Sequence, residues 1–591
     1  MPQAFSSASG PNGSGQSTEQ MLACWGKLDL NQVRTMKRTL TRRDFAKLTA
    51  ASAAVSRLPR AYGQSAAKPA HSIAPGPCQA TWESLVANYK TPDWFRDAKF
   101  GMWAHWTAQC VPEQGDWYAR KMYIQGERDY DYHVKTYGHP SKVGFMEIDH
   151  LWKAEKWDPA RLIALYKRAG AKYFFGLANH HDNLDMYNSA HHAWNSVNVG
   201  PKKDIIGAWA KVVRENGLRF GVTNHASWAG RFMQPAYGYD GEGPLEGVRY
   251  DAYRLTKADG KGKWWDGLDP QDLYTGNSTN MPDGIHGAAA VRAWYNANTS
   301  LDKNWVPPGE YCENWYLRCK DLVDKYHPDV LYFDTNELPL GQVGLDLVAH
   351  YYNLSAARNG GQADVVVNAK HIQPAQVGAF VEDIERSTAN VIRPDAWQTD
   401  TCIGDWHYSR ALAEENRYAT VATIVSMLTD IVSKNGNLML NIPLRGDGSI
   451  DEHEEAFLAG LTAWMEVNSE GIYGTRPWKI YGEGPSTMAP PVRGYGRTPA
   501  PYTAEDIRFT TKGGALYAFV GAWPASRMAR IKSLAAGLPR LSGAKVTAVS
   551  LVGYGGKVAW TQDEQGLSVN LPEKAPSQPA VTLKIHGVPT A

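Results

Sequence analysis

Asp334 closes the apolar run Val330-Leu331-Tyr332-Phe333, where a carboxylate either caps the next helix or faces a cleft. Taken singly, the cap is the better reading. What shifts the balance is its company, because His105, His180, His181 and Asp182 also stand at the ends of apolar runs. A carboxylate among imidazoles suits proton transfer or nucleophilic attack. Successive side chains of a strand point to opposite faces, so one of His180 and His181 is expected to be structural and the other functional.

Three chemistries compete for these residues. Two histidines and an aspartate could hold zinc, but no HxH, HExxH or CxxC spacing accompanies them, so no metal is expected. A serine nucleophile is disfavoured, since no GxSxG occurs and Ser227 lacks the sharp turn such a nucleophile needs. Paired carboxylates remain. Cleaving an acetal needs a proton donor for the leaving oxygen and an anion against the developing oxocarbenium ion, which is glycoside hydrolysis. Asp334 is the candidate anion. Glu382, Asp383 and Glu385 are all available as the acid, and their types do not choose among them.

Composition agrees with a sugar-facing cleft. The 591 residues include 22 Trp, 30 Tyr and 14 Phe, enough flat amphipathic surface for both a core and a carbohydrate site. With 62 basic and 60 acidic residues the net charge is +2, and Lys and Arg are scattered, so nucleic acid is not an expected partner. No run of 18 apolar residues occurs, so no membrane span is expected.

The elements that must carry the site alternate. Apolar strands are expected at residues 99–104, 172–177, 219–222, 329–333 and 364–367, each followed by polar residues. Between them lie helices, one opened by Asp158-Pro159 and stopped by Gly170, another with Ile205, Ile206, Trp209, Val212 and Val213 at helical spacing. Strand–helix alternation over about 350 residues predicts a (β/α)8-like barrel, whose active site lies at the C-terminal ends of the strands. A doubly wound open sheet is the alternative, but no GxGxxG follows a first strand. Residues 231–310 are too long for a plain loop and are expected as an insertion over the barrel mouth within a catalytic domain spanning 80–478. After that, short alternating strands near 507–511, 515–520, 546–552, 567–571 and 581–585 predict a C-terminal antiparallel β-sandwich over 479–591.

Residues 1–65 read as a leader rather than a domain. Thr41-Arg42-Arg43-Asp44-Phe45 before a small-residue run resembles a twin-arginine export signal, ending near Ala61-Tyr62-Gly63, so a periplasmic or secreted location is expected. Met36 is the expected true start. Beyond Cys24 the five cysteines are odd in number, and Cys312/Cys319 is the nearest pair for one disulfide after export.

Several motifs together resemble glycoside hydrolase family 29, the α-L-fucosidases. They are Trp94-Phe95-Arg96-Asp97-Ala98-Lys99-Phe100-Gly101 through His105-Trp106, His180-His181-Asp182, Trp194-Asn195-Ser196 and Gly200-Pro201-Lys202-Lys203-Asp204. Pro328-Asp329 through Asp334, Asn435-Gly436-Asn437-Leu438-Met439-Leu440-Asn441-Ile442 and Gly471-Ile472-Tyr473-Gly474-Thr475-Arg476-Pro477-Trp478 follow in the family's order, over roughly residues 80–480. The resemblance implies a barrel followed by a sandwich, and release of terminal α-L-fucose from oligosaccharides or glycoconjugates with retention, without metal or cofactor. It implies Asp334 as nucleophile. Glu385, followed by Arg386 and upstream of Trp397-Gln398-Thr399, best fits the acid/base, with Glu382 in reserve. It further implies that His105, His180 and His181 bind the sugar hydroxyls, that Asp116 and Trp117 close the pocket, and that Trp406 packs on the C5 methyl.

The chain departs from that pattern at Asp116, where Glu is usual, at Lys370, where Arg is common, at Tyr332, where Trp is common, and at Thr223-Asn224-His225, which replaces a Tyr-rich strand end. Lys is a point charge where Arg is a planar fork, so a related L-sugar such as an α-L-galactoside is the alternative substrate. A non-catalytic sugar-binding protein on the same scaffold is the rival from another class. Oligomeric state stays open, a homo-oligomer included.

Overall fold

The structure, a computed structural model, describes residues 71–276, 281–299, 307–487 and 500–590. The chain divides into two units, Met1–Lys68 and Pro69–Ala591, and the second contains every element named below. The expected leader and Cys24 lie outside the described residues.

Eight parallel strands close into a barrel: β1 Phe100–Ala104, β2 Tyr173–Asn179, β3 Arg219–Asn224, β4 Val330–Asn336, β5 Val366–Lys370, β6 Val381–Asp383, β7 Trp397–Cys402 and β8 Gly436–Asn441. Closure is made by β1, whose Gly101 sits opposite Tyr173 of β2 and Met439 of β8. A Cβ on Gly101 would lie 2.1 Å from the Tyr173 ring, so glycine is what lets that ring enter the barrel. The five strands expected from apolar runs are present. The apolar pattern does not mark β6, β7 or β8 as strands. β6 is only three residues long, and β7 reads Trp-Gln-Thr-Asp-Thr-Cys, polar yet wholly buried. Polar side chains of β7 find partners inside the barrel instead of water.

The helices follow their local signals. Asp158 accepts from the Arg161 backbone N–H at 3.0 Å and opens Pro159–Arg168. Asp204 caps Ile205–Glu215 in the same way, accepting from Gly207 at 2.8 Å. Asp334 is no cap. It lies within β4, and the next helix, Gln342–Arg358, starts after Gly341.

A sandwich of two antiparallel sheets follows. β9 Arg476–Glu483, β10 Ile507–Lys512, β11 Ala515–Val520, β13 Ala548–Leu551 and β16 Val581–His586 pair in the order β13-β16-β11-β10-β9. β12 Met528–Ile531, β14 Ala559–Asp563 and β15 Gly566–Asn570 form the other sheet. Phe509, Leu516 and Leu583 of one sheet meet Ile531, Leu567 and Val569 of the other in a common core. The sandwich braces the barrel through a buried ion pair, Arg508 Nε donating to Asp430 Oδ1 at 2.6 Å, and through Trp464 Nε1 donating to the Ala580 carbonyl at 3.0 Å.

No disulfide joins Cys312 and Cys319, which are both free thiols on the helix Gly309–Tyr326. Seven residues along a helix is roughly 10 Å, beyond the reach of a disulfide.

Candidate active site

The polar residues that follow the strands converge at the C-terminal mouth of the barrel. Trp103 and His105 come from the end of β1, Trp117 from the loop after it, His180 from the end of β2 and His225 from the end of β3. Tyr332 and Asp334 lie in β4, Lys370 ends β5, Glu385 follows β6, Asp400 lies in β7 and Trp406 follows it. All eleven line one tight cavity of about 40 Å³, well below the roughly 300–1,000 Å³ of ligand clefts.

At its centre the Lys370 ammonium donates to Asp334 Oδ1 and, at 2.5 Å, to Glu385 Oε2. Two oxygens sharing one ammonium at hydrogen-bond length stand at most about 5–6 Å apart. Burial alone would raise the Asp334 carboxyl, but Lys370 with His181 and His225 outweighs it and holds that carboxyl well below its ordinary range. Burial raises Glu385, opposed by Lys370 but assisted by the negative charges of Asp400 and Asp334, and the net shift is upward. Burial lowers Lys370, yet Asp334, Glu385 and Asp400 hold its ammonium charged, well above the usual lysine range. One carboxyl favours its anion and its neighbour favours its acid, the division of labour that acid/base sites use.

The histidines are oriented from behind. Gln109 receives the Ala119 N–H on its Oε1 at 3.3 Å and donates through Nε2 to Asp182 at 3.0 Å, which fixes the amide. The same Nε2 meets His180 Nδ1 at 2.8 Å, so His180 Nδ1 accepts and its Nε2 carries the proton. His181 donates from Nδ1 to the His225 carbonyl at 2.8 Å and sets Nε2 3.5 Å from Asp334 Oδ2. Both neighbours therefore face the site, contrary to the expectation that only one would. The reason is that β2 ends at Asn179, whose Oδ1 accepts the His225 and Ala226 N–H groups at 3.1 Å each, so strand alternation stops before His180. Asp182 does not enter the cavity and instead accepts from Thr107 at 3.2 Å and from Gln109, supporting His180.

His105 has no hydrogen-bond partner on either ring nitrogen and is 3% exposed; Trp103 Nε1 is likewise unpaired. Burial, with His407 and His225 nearby, pushes the His105 imidazole well below its usual range, and burial with His181 does the same to His180. Buried unpaired donors and acceptors are costly unless a ligand meets them, and neutral imidazoles are the form that can both give and accept a hydroxyl hydrogen bond.

Two expected site residues are placed differently. Asp116 does not line the cavity; its Oδ1 accepts from the His407 backbone N–H and ring Nδ1, both at 3.0 Å, and it borders an adjoining cleft with Trp117, Lys121, Arg128 and Asp405. Glu382 points out of β6 and pairs with Arg393, and of the three acid candidates only Glu385 lines the cavity. Trp117 reaches it through a backbone in the left-handed region, φ +66°, a strain of about 1–3 kcal/mol for a bulky residue and common at functional sites. Its ring packs on Phe232 of the 231–310 segment at 5.7 Å. Of the tryptophans near the motifs, Trp106, Trp194 and Trp397 are core. They are buried, and their indole N–H groups go to the carbonyls of Arg445, Asp269 and Lys434. Asp400, His225, His407 and Gln109 join the site without having been expected there. His225 ends an apolar run like the other histidines, and that signal was available; the other three carry none.

One trio of metal-type side chains converges among the described residues: His105, His180 and His407, with ligand atoms within 4.8 Å of one another. His407 is engaged by Asp116 at Nδ1 and Thr107 at Nε2, and His180 by Gln109, so the set would have to rearrange before it held an ion.

Comparison with known proteins agrees with this geometry. Residues 65–470 match the sequence profile of the alpha-L-fucosidases, and residues 501–586 that of the alpha-L-fucosidase C-terminal domain. The tissue alpha-L-fucosidase of Rattus norvegicus is 24% identical over 538 residues, 88% of this chain and 95% of the relative. The plasma alpha-L-fucosidase of Homo sapiens is 26% identical over 547 residues, covering 88% and 92%. Among solved structures, Thermotoga maritima alpha-fucosidase in complex with fucose superposes with a TM-score of 0.60 at 26% identity, covering 86% of this chain and 100% of that one. The complex of that enzyme with a mechanism based inhibitor gives 0.62, also at 26% identity, covering 86% and 99%. A closed parallel barrel with its C-terminal sandwich, carrying paired carboxyls at the mouth, and matches spanning both domains place the chain in the α-L-fucosidase family of glycosidases.

Proposed function

We propose that this glycosidase releases terminal α-L-fucose from fucosylated oligosaccharides or glycoconjugates by a retaining double displacement, with Asp334 as nucleophile and Glu385 as acid/base. The observation that carries it is the single ammonium of Lys370 shared by the two carboxyls. The bridged oxygens lie at most about 5–6 Å apart, in keeping with the roughly 5–5.5 Å carboxyl spacing of retaining enzymes and closer than the roughly 6.5–9.5 Å of inverting ones. Asp334 attacks the anomeric carbon as Glu385 gives its proton to the departing oxygen. Negative charge thus passes from Asp334 to Glu385 while both remain on Lys370, so the ammonium follows the charge with little reorganisation. Glu385, now a carboxylate, takes a proton from water, whose oxygen displaces Asp334 from the sugar.

His105, His180 and His181 would hold the sugar hydroxyls, Trp117 would close over the ring and Trp406 would meet its apolar edge. No cofactor enters this scheme. The enzyme would work outside the cytoplasm, delivered by the twin-arginine-type leader.

A panel of nitrophenyl L- and D-glycosides tests the substrate. The α-L-fucoside is expected to be cleaved fastest, with D-sugars inert. Faster cleavage of the α-L-galactoside would move the assignment to that sugar, and no colour release from any member would leave a binding protein.

A further inference from the structure

Two more carboxyls meet beneath the cavity, Asp383 at the end of β6 and Asp400 in β7, 2% and 1% exposed. Tyr332 donates its hydroxyl to Asp400 Oδ2 at 3.0 Å. Gln398 donates through Nε2 to Asp383 Oδ1 at 2.9 Å, its orientation fixed because Tyr173 donates to its Oε1 at 3.1 Å. The oxygens left over, Asp383 Oδ2 and Asp400 Oδ1, have no other hydrogen-bond partner. Two dry carboxylates cannot both stay ionised side by side, and one proton between them satisfies both oxygens. Burial first, and then the charge of Asp400 and the hydrogen bond to it, hold that proton on Asp383. Asp383 therefore donates to Asp400, which stands on the wall of the cavity.

Charged and polar groups face Glu385 from three strands. Asp334 and Tyr332 of β4, Lys370 of β5 and Asp400 of β7 line the same cavity as Glu385, and Lys370 donates to it at 2.5 Å. His181 and His225 stand behind Asp334, and Arg386 is turned to Cys402 Sγ and the Gly404 carbonyl with its guanidinium over Trp406. Without Asp400, one ammonium would pull directly on Glu385 and favour its ionised form, which cannot act as an acid.

We propose that Asp400, which accepts from Tyr332 and lines the same cavity as Glu385 and Lys370, is a positioning residue that offsets the pull of Lys370 on Glu385. This rests on Glu385 being the acid/base. It also gives a reason for the buried polar strand β7 at this point of the barrel.

The test is a matched pair of variants read by the pH profile of kcat/KM on nitrophenyl α-L-fucoside. In Asp400→Asn the amide can accept from Tyr332 and donate to Asp383, which takes the charge off the cavity wall that Glu385 shares. The basic limb is expected to shift to lower pH by about one unit. In Asp383→Asn the amide donates to Asp400 in place of the acid proton, and the limb is expected to stay at its wild-type position. An unmoved limb in a folded, active Asp400→Asn enzyme, or an equal shift in both variants, would overturn the proposal. A second readout does not depend on Asp400→Asn folding: Asp383→Asn should remove one protonated-carboxyl infrared band present above pH 7 in the wild type, and its persistence would equally overturn it. A wild-type basic limb that survives Glu385→Gln would instead remove the acid/base assignment itself.

Discussion

Asp334→Ala is expected to lower kcat on nitrophenyl α-L-fucoside by roughly 10³–10⁵-fold, the scale of losing a covalent nucleophile. The chain around it should stay folded, because 26% of the Asp334 side chain is exposed and its deletion removes no apolar core packing. Lys370 keeps Glu385 as a counter-ion in the variant. The space vacated beside the anomeric carbon admits a small anion, so azide should restore part of the rate and yield the fucosyl azide of inverted configuration. A variant retaining more than a tenth of the wild-type rate would place the nucleophile elsewhere.

Glu385→Ala should separate substrates by their leaving groups. An aglycone of high pKa needs its oxygen protonated as the bond breaks, and its hydrolysis is expected to fall by roughly 10²–10⁴-fold, the usual worth of general acid catalysis. A dinitrophenyl fucoside departs as a stable anion, and its first step should be nearly spared. The pH profile carries the same information. The wild type needs Asp334 ionised and Glu385 protonated. Activity should fall on the acid side only as pH drops through the depressed value of Asp334, and on the basic side as pH rises through the raised value of Glu385. For the dinitrophenyl substrate Glu385→Ala should lose the basic limb and keep the acid one. Equal losses on both substrates would point to a structural role for Glu385.

Much of the barrel was legible because its first five strands are continuous apolar runs ended by polar residues, as at Val330 to Asp334. Its last three were not. β7 buries Gln398 and Asp400 by pairing them with Asp383 and Tyr332 across strands, and no pattern along the sequence announces a partner on another strand. The same limit hid His407 and Gln109, whose importance lies in what they orient. His180 and His181 mark the opposite limit: strand alternation ends at Asn179, one residue before them. The aromatic excess divided in the same way. Trp103, Trp117 and Trp406 line the cavity, whereas Trp397 sits in β7 facing outward into helix packing, a choice set by register and not by composition.

The Lys370-bridged carboxyl pair makes one claim that does not depend on any variant. Proton NMR of nitrophenyl α-L-fucoside hydrolysis, followed within the first turnovers before mutarotation, should show α-L-fucose as the first product. First appearance of the β-anomer would mean direct attack by water, and Asp334 would then be a base and not the nucleophile.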